Sequence, residues 1–143
     1  MDSRFCTYKR VGYLKASISK ILGMDFTGIV YASPGVLKHI EKRHNKQIDT
    51  RSKDSILGWM KEIIEKPDYI GIYKNKKGQE AIELVKELYI DLLLGIEIDE
   101  ENGYIYVSTM YPISKRKIKN KLYSGKLIAI NEYIKDDVES CIV

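Results

Sequence analysis

Apolar and polar positions change period once along this chain, near Pro67, and the change divides it into a helical part and a stranded part. Before it, Leu14, Ile18, Ile21 and Leu22 recur at helical spacing and predict a helix over Tyr13 to Leu22, stopped at Gly23. Gly28 to Ala32 reads as a short buried strand. Ser33 then offers a capping oxygen and Pro34 suits a first helical position, so a helix is predicted to run to about His44. A polar connection, Asn45 to Arg51, leads to a second helix from near Ser52 to Lys66. That helix carries Ile56, Leu57, Met60, Ile63 and Ile64 and is ended by Pro67.

After Pro67 the alternation is strand-like. Tyr69 to Lys74 and Glu80 to Leu88 flank a turn at Asn75 to Gly78, and Tyr89 to Ile98 is a long apolar strand. Asn102-Gly103 is the best hairpin signal, with Tyr104 to Tyr111 as the returning strand. Ser114 opens a basic helix to about Lys121, and Leu127 to Val143 reads as a strand followed by a helix. The expected class is therefore α+β, with N-terminal helices packed on a roughly four-stranded antiparallel sheet.

A length of 143 residues favours a single domain, residues 1–143, and 44% hydrophobic with 31% charged residues indicates a globular chain. No apolar run approaches the roughly 20 residues of a membrane span, and the N-terminus lacks the apolar core of a signal peptide. A cytoplasmic protein without a membrane partner is expected. Cys6 and Cys141 sit near opposite ends without metal spacing, which fits a reducing cytosol, although a bridge between them stays open.

The net charge of +4 is modest but uneven. From Tyr111 to Lys126 the chain carries Lys115, Arg116, Lys117, Lys119, Lys121 and Lys126 and no acid. A second basic group runs through Lys38, Lys42, Arg43, Lys46, Arg51 and Lys53. A solvated helix face has the same composition, but two such groups around a histidine pair point to phosphate binding.

That pair lies in Ser33-Pro-Gly-Val-Leu-Lys-His39-Ile-Glu-Lys-Arg43-His44, which holds both histidines of the chain. Imidazole exchanges protons near neutral pH. RNA can be cleaved by its own 2′-hydroxyl, so the protein must remove that proton, protonate the leaving 5′-oxygen and stabilise charge on phosphorus. His39, His44, Arg43 and Lys38 supply one set of suitable groups, and Ser108, Thr109, Tyr111 and Ser114 supply hydroxyls. Five helical residues span about 140° more than one turn, so His39 shares a face with Arg43, whereas His44 lies above Ile40. His39 is the first choice for proton transfer. On a regular strand Ser108 and Thr109 face opposite sides, with Thr109 and Tyr111 together. Most of the eleven tyrosines, against two Phe and one Trp, read as residues at the margin of the core rather than as base-stacking platforms. No metal is expected, because both histidines fall on one predicted helix. No phosphate loop or nucleotide motif is present, so no cofactor is expected.

Gly28-Ile-Val-Tyr-Ala-Ser-Pro-Gly-Val-Leu-Lys-His39-Ile-Glu-Lys-Arg-His44, Ile64-Glu-Lys-Pro-Asp-Tyr-Ile-Gly71, Ile82-Glu-Leu-Val-Lys86 and Tyr106-Val-Ser-Thr-Met-Tyr111 resemble, in this order, a phage-encoded nuclease group. It belongs to the superfamily joining barnase, EndoU, colicin ribonuclease toxins and RelE. The resemblance covers about residues 28–126, leaving 127–143 as an extension. It implies two helices followed by a four-stranded antiparallel sheet, with the site between the first helices and the sheet. It implies metal-free RNA cleavage, often of tRNA, to a 2′,3′-cyclic phosphate. His39 and His44 would be the helix histidines, Lys86 a basic residue on a strand, and Thr109 or Ser108 the strand hydroxyl, with Arg43 or Lys86 expected to stabilise the phosphorane. Tyr111 and Ser114 are weaker matches. The expected partners are RNA, with tRNA a candidate, and an immunity or antitoxin protein. A toxin or host-takeover effector acting in a bacterial cytoplasm would follow. The first alternative is a catalytically silent RNA-binding or counter-defence module on the same fold, and the second a metal-dependent DNA nuclease.

Lys38, Lys42, Ser114, Lys115, Arg116, Lys117 and Lys119 are the expected RNA-backbone contacts. Neutralising Lys115, Arg116 and Lys117 together should weaken RNA binding and flatten its dependence on salt, because backbone contacts release counterions. Titrations at several salt concentrations check this, and an unchanged slope would make the helix a solvated face.

Overall fold

The computed structural model describes residues 7–44 and 53–131, with only the backbone of residues 44 and 53–55. The elements are β1 (Lys9–Leu14), α1 (Ala16–Ile21), β2 (Gly28–Ala32), α2 (Pro34–His44), α3 (Lys53–Glu65), β3 (Tyr69–Lys74), β4 (Glu80–Lys86), β5 (Leu92–Asp99), β6 (Tyr104–Pro112), α4 (Lys115–Tyr123) and β7 (Ile128–Ala129). The connection expected at Asn45 to Arg51, both cysteines and the helix expected toward Val143 lie outside the described residues. Among the described residues no helix is long and apolar enough to cross a membrane.

The sheet corrects the expectation of four antiparallel strands. It has seven strands in the order β1-β2-β6-β5-β4-β3-β7 and is mixed, because β2 runs parallel to β6. The four strands after Pro67 do form an antiparallel meander. The hairpin of β1 and β2 extends it on one side and the two-residue β7 on the other.

Strand β1 escaped a reading by periodicity for a physical reason. Its pairing with β2 is irregular between Arg10 and Gly12, which places the buried Val11 and Leu14 three residues apart. A bulge of this kind imitates helical spacing, and with Ile18 the series continues across the strand end at Leu14. The helix begins only at Ala16. The turn at Asn102-Gly103 also differs from a two-residue hairpin. Asp99 pairs with Tyr104, four residues intervene, and only Gly103 takes a positive φ, of 70°.

Helices α2 and α3 carry the chain from β2 to β3, near the far side of the sheet, and cover one sheet face on the way. Ser33 Oγ accepts the Val36 N–H at 3.1 Å, which starts α2 where the sequence predicts. Leu37 and Ile40 face inward from α2, and Ile56, Met60, Ile63 and Ile64 from α3. They meet Val30, Ile82, Leu84, Leu94, Ile96, Val107 and Met110 in one core. Gly12 lets the two layers approach, since a Cβ there would lie 3.2 Å from Ile64.

The opposite face is only partly covered. α4 places Ile118 over Val85 and Leu93, with Ile113 and Leu127 completing a smaller core. Strand β4 is thus buried on both sides from Ala81 to Val85. The chain after α4 returns across β3, so close that a Cβ on Gly71 would sit 2.0 Å from the Lys126 carbonyl oxygen. Gly71→Ala should therefore push the Lys126–Ile130 chain off the sheet and lower stability by about 1–3 kcal/mol or more. Urea unfolding checks this, with Gly58→Ala as the open-space control.

Candidate active site

The uncovered part of the second sheet face holds a polar cluster. Its origin is the pairing of β5 with β6, where Ile96 pairs with Val107 but Gly95 pairs with Thr109. Ser108 is the extra residue of a β-bulge. Val107 and Met110 point into the main core, and Thr109, opposite Gly95, points to the other face. Ser108 joins it there, with its Oγ 3.0 Å from the Tyr73 hydroxyl. The expectation that these two hydroxyls face opposite sides is thus overturned by one inserted residue.

Gly95 is the floor of this cluster. A Cβ there would lie 3.0 Å from Ser108 Oγ, Thr109 Cγ2 and Tyr73 Oη alike. Above it, Glu97 accepts hydrogen bonds from Tyr73 Oη at 3.2 Å, Asn75 Nδ2 at 2.9 Å and Tyr106 Oη at 3.3 Å. Asn75 is held in turn by its own turn, its Oδ1 accepting the backbone N–H groups of Lys77 and Gln79. On the next strand, buried Glu83 accepts from Lys121 Nζ of α4 at 2.7 Å. Burial pushes the Tyr73 hydroxyl far above the ordinary phenol range, Ser108 opposing and Glu97 adding to the shift. Tyr111 is also raised, by burial, with Lys121 opposing. Both phenols stay protonated at neutral pH, and Tyr73 donates to Glu97. The cluster combines a carboxylate, protonated phenols, two aliphatic hydroxyls and an ammonium.

The expected site residues fall into separate groups. Ser108, Thr109 and Tyr111 belong to this face. Lys38, His39, Lys42 and Arg43 lie on the exposed side of α2, whose inner side packs in the main core. The His39 and Arg43 side chains make no hydrogen bond or ion pair with another described residue, and the His44 side chain lies outside the described residues. Lys86 shares the side of Ile82 and Leu84 and pairs with Asp68 at 3.5 Å, away from the hydroxyl cluster.

The basic helix is also divided. Ser114 caps it, its Oγ accepting the Lys117 N–H at 3.2 Å. Lys115 is bound by Glu87 at 2.9 Å and Asp91 at 3.0 Å, and these hydrogen bonds raise its pKa. Arg116, Lys117 and Lys119 are exposed. Among the described residues no group of three or more His, Cys, Asp or Glu could hold a metal ion.

Tyr73, Glu83, Glu97 and Lys121 were not reached from the sequence. A signal existed: Glu83 interrupts an apolar run from Ala81 to Val85, and Gly95 and Glu97 alternate with Leu94, Ile96 and Ile98. Polar residues in such strands require partners once buried.

The family described as phage-Barnase-EndoU-ColicinE5/D-RelE like nuclease3 matches residues 9–120, spanning β1 to the middle of α4. The chain belongs to this family. No curated protein and no solved structure gives a significant match. The match agrees with the resemblance drawn from the motifs and begins earlier, at the strand the motifs did not include. It makes the fold a phage-type nuclease fold.

In this member of a nuclease family Gly95→Ala tests whether the bare floor matters. The added methyl must displace Ser108, Thr109 or Tyr73, at a cost of about 1–3 kcal/mol. Nuclease activity per folded molecule should fall at least about tenfold, measured against the folded fraction by circular dichroism. Gly103→Ala, at the hairpin turn, should leave that specific activity unchanged.

Proposed function

We propose that this nuclease is a metal-independent RNA endonuclease whose proton transfers take place on the polar sheet face. The observation that carries the reading is the β6 bulge, which sets Ser108 and Thr109 beside Tyr73 and Glu97, with Lys121 on the neighbouring strand's carboxylate. Glu97 takes the proton of the 2′-hydroxyl as its oxygen attacks phosphorus. The P–O5′ bond breaks, and a tyrosine hydroxyl of the cluster protonates the leaving oxygen. Ser108, Thr109 and the Lys121 ammonium stabilise the charged phosphorane. The products are a 2′,3′-cyclic phosphate and a 5′-hydroxyl.

The kinship with colicin-type ribonucleases makes tRNA the first RNA to test. It also favours the role of toxin or host-takeover effector in the cytoplasm of a bacterial host, with an immunity or antitoxin protein as its natural partner. A second reading gives the chemistry to α2, where His39 is exposed beside the phosphate-attracting Arg43. A third keeps RNA binding and dispenses with cleavage.

Incubation of the purified chain with total tRNA in EDTA, followed by sequencing of fragment ends, separates them. The proposal expects cleavage in EDTA, with Glu97→Gln slowing it by about 10²–10⁴-fold and His39→Ala by a few-fold at most. The reverse pattern would move catalysis to α2. Activity lost in EDTA and restored by a divalent ion would defeat the metal-free reading, and RNA bound but left intact would leave the binding module.

A further inference from the structure

The polar cluster is one end of a longer surface. Tyr106, which donates to Glu97, pairs in register with Tyr31 of β2, and Tyr31 pairs with Arg10 of β1. All three therefore stand on the side of the sheet that carries Ser108 and Thr109. The Tyr104 ring lies 5.5 Å from Tyr106, 6.4 Å from Tyr31 and 6.2 Å from Tyr8, centroid to centroid. The adjoining register pair, Tyr13 and Ile29, is 50% and 37% exposed. Sealing a core does not account for a half-exposed tyrosine beside a ring array. Exposed aromatic area continuous with polar groups is the pattern of a surface that receives flat ligands.

We propose that this tyrosine surface binds single-stranded RNA, its bases stacking on Tyr13, Tyr31 and Tyr104 and its backbone running past Arg10. The proposal deepens the reading of the polar face as a ribonuclease site, since a strand laid along the rings reaches Glu97 and Ser108. The occupant follows from chemistry. Every base has a π-face, so rings accept any sequence, but only when the bases are unpaired. A broad sheet face cannot enter the deep, narrow major groove of an RNA duplex. Asp99, opposite Tyr104 at the tip of β5, repels phosphate, whereas exposed Arg10 attracts it along the β1 side, which sets the path by which the backbone enters.

The test uses the full chain and RNA that cannot be cleaved by this chemistry. The probes are a fluorescent 2′-O-methyl octanucleotide, its duplex with a complementary strand, and an octamer of the same backbone lacking bases. The single strand should bind at least about tenfold more tightly than either of the others. Tyr13→Ala and Tyr31→Ala should each weaken it by roughly 5- to 100-fold. Tyr13→Phe and Tyr31→Phe should recover most of that loss, which separates stacking from hydrogen bonding. Tyr89→Ala, at a fully exposed loop position, should change nothing. Tyr13 is already half exposed, so its variant should fold even if that of Tyr31 does not. Equal binding of the three probes, absence of binding, or affinity untouched by Tyr13→Ala overturns the proposal. Tyrosine-dependent binding without cleavage of natural RNA would uphold the platform and defeat the nuclease reading. Cleavage with tyrosine-independent binding would do the opposite.

Discussion

The pairing of β6 with its two neighbours is the constraint on which the rest of the structure depends. β6 accepts β2 in parallel on one side and β5 antiparallel on the other, so it joins the N-terminal hairpin to the meander. Without the parallel contact, β1 and β2 would leave the sheet and be held only by their packing on the helices, as where Gly12 meets Ile64. The same strand carries the bulge at Ser108. Its apolar residues, Ile105, Val107 and Met110, stay in the core, while the extra residue adds a second hydroxyl to the opposite face. One register shift thus serves packing and site together.

The two faces of the sheet meet different physical demands. The helix-covered face is an apolar layer, where truncating a side chain such as Ile64 would cost about 2–5 kcal/mol. The other face holds carboxylates within a largely buried sheet. Charges there persist only when paired and hydrogen-bonded. Glu83 has Lys121, which also ties α4 to β4, and Glu97 has three donors. These contacts preorganise the cluster, so no groups need to be gathered when a substrate arrives. Gly95 keeps the floor low enough for Ser108, Thr109 and Tyr73 to converge.

Basic residues that look equivalent along the chain have unequal roles once folded. Lys115 is neutralised by Glu87 and Asp91, Lys121 is drawn inward to Glu83, and Arg116, Lys117 and Lys119 face solvent. Lys86 is spent on Asp68. The charge density of the α4 region therefore overstates what its solvent side can offer a phosphate chain, since Lys121 faces the polar cluster instead. The tyrosine surface beside β1 supplies attraction of another kind, through area rather than charge.

By itself the sequence determined most of what depends on neighbouring residues, the length of the Asn102-Gly103 turn excepted. The cap at Ser33, the start of α2 at Pro34, the inward row of α3 and the strands flanking Asn75 to Gly78 are local choices of backbone and periodicity, and they stand where the pattern puts them. Motif order was legible too, and it led to the nuclease family. Tertiary structure alone decided the parallel joining of β2 to β6, because strand order depends on which edges meet after the chain has turned back many residues later. It also decided the composition of the polar face. Two bulges broke the alternation from which sidedness is read, hiding β1 behind a helical spacing and turning Ser108 to the side of Thr109. Glu83, Glu97, Tyr73 and Lys121 come from four separate elements, and only the folded sheet makes them neighbours.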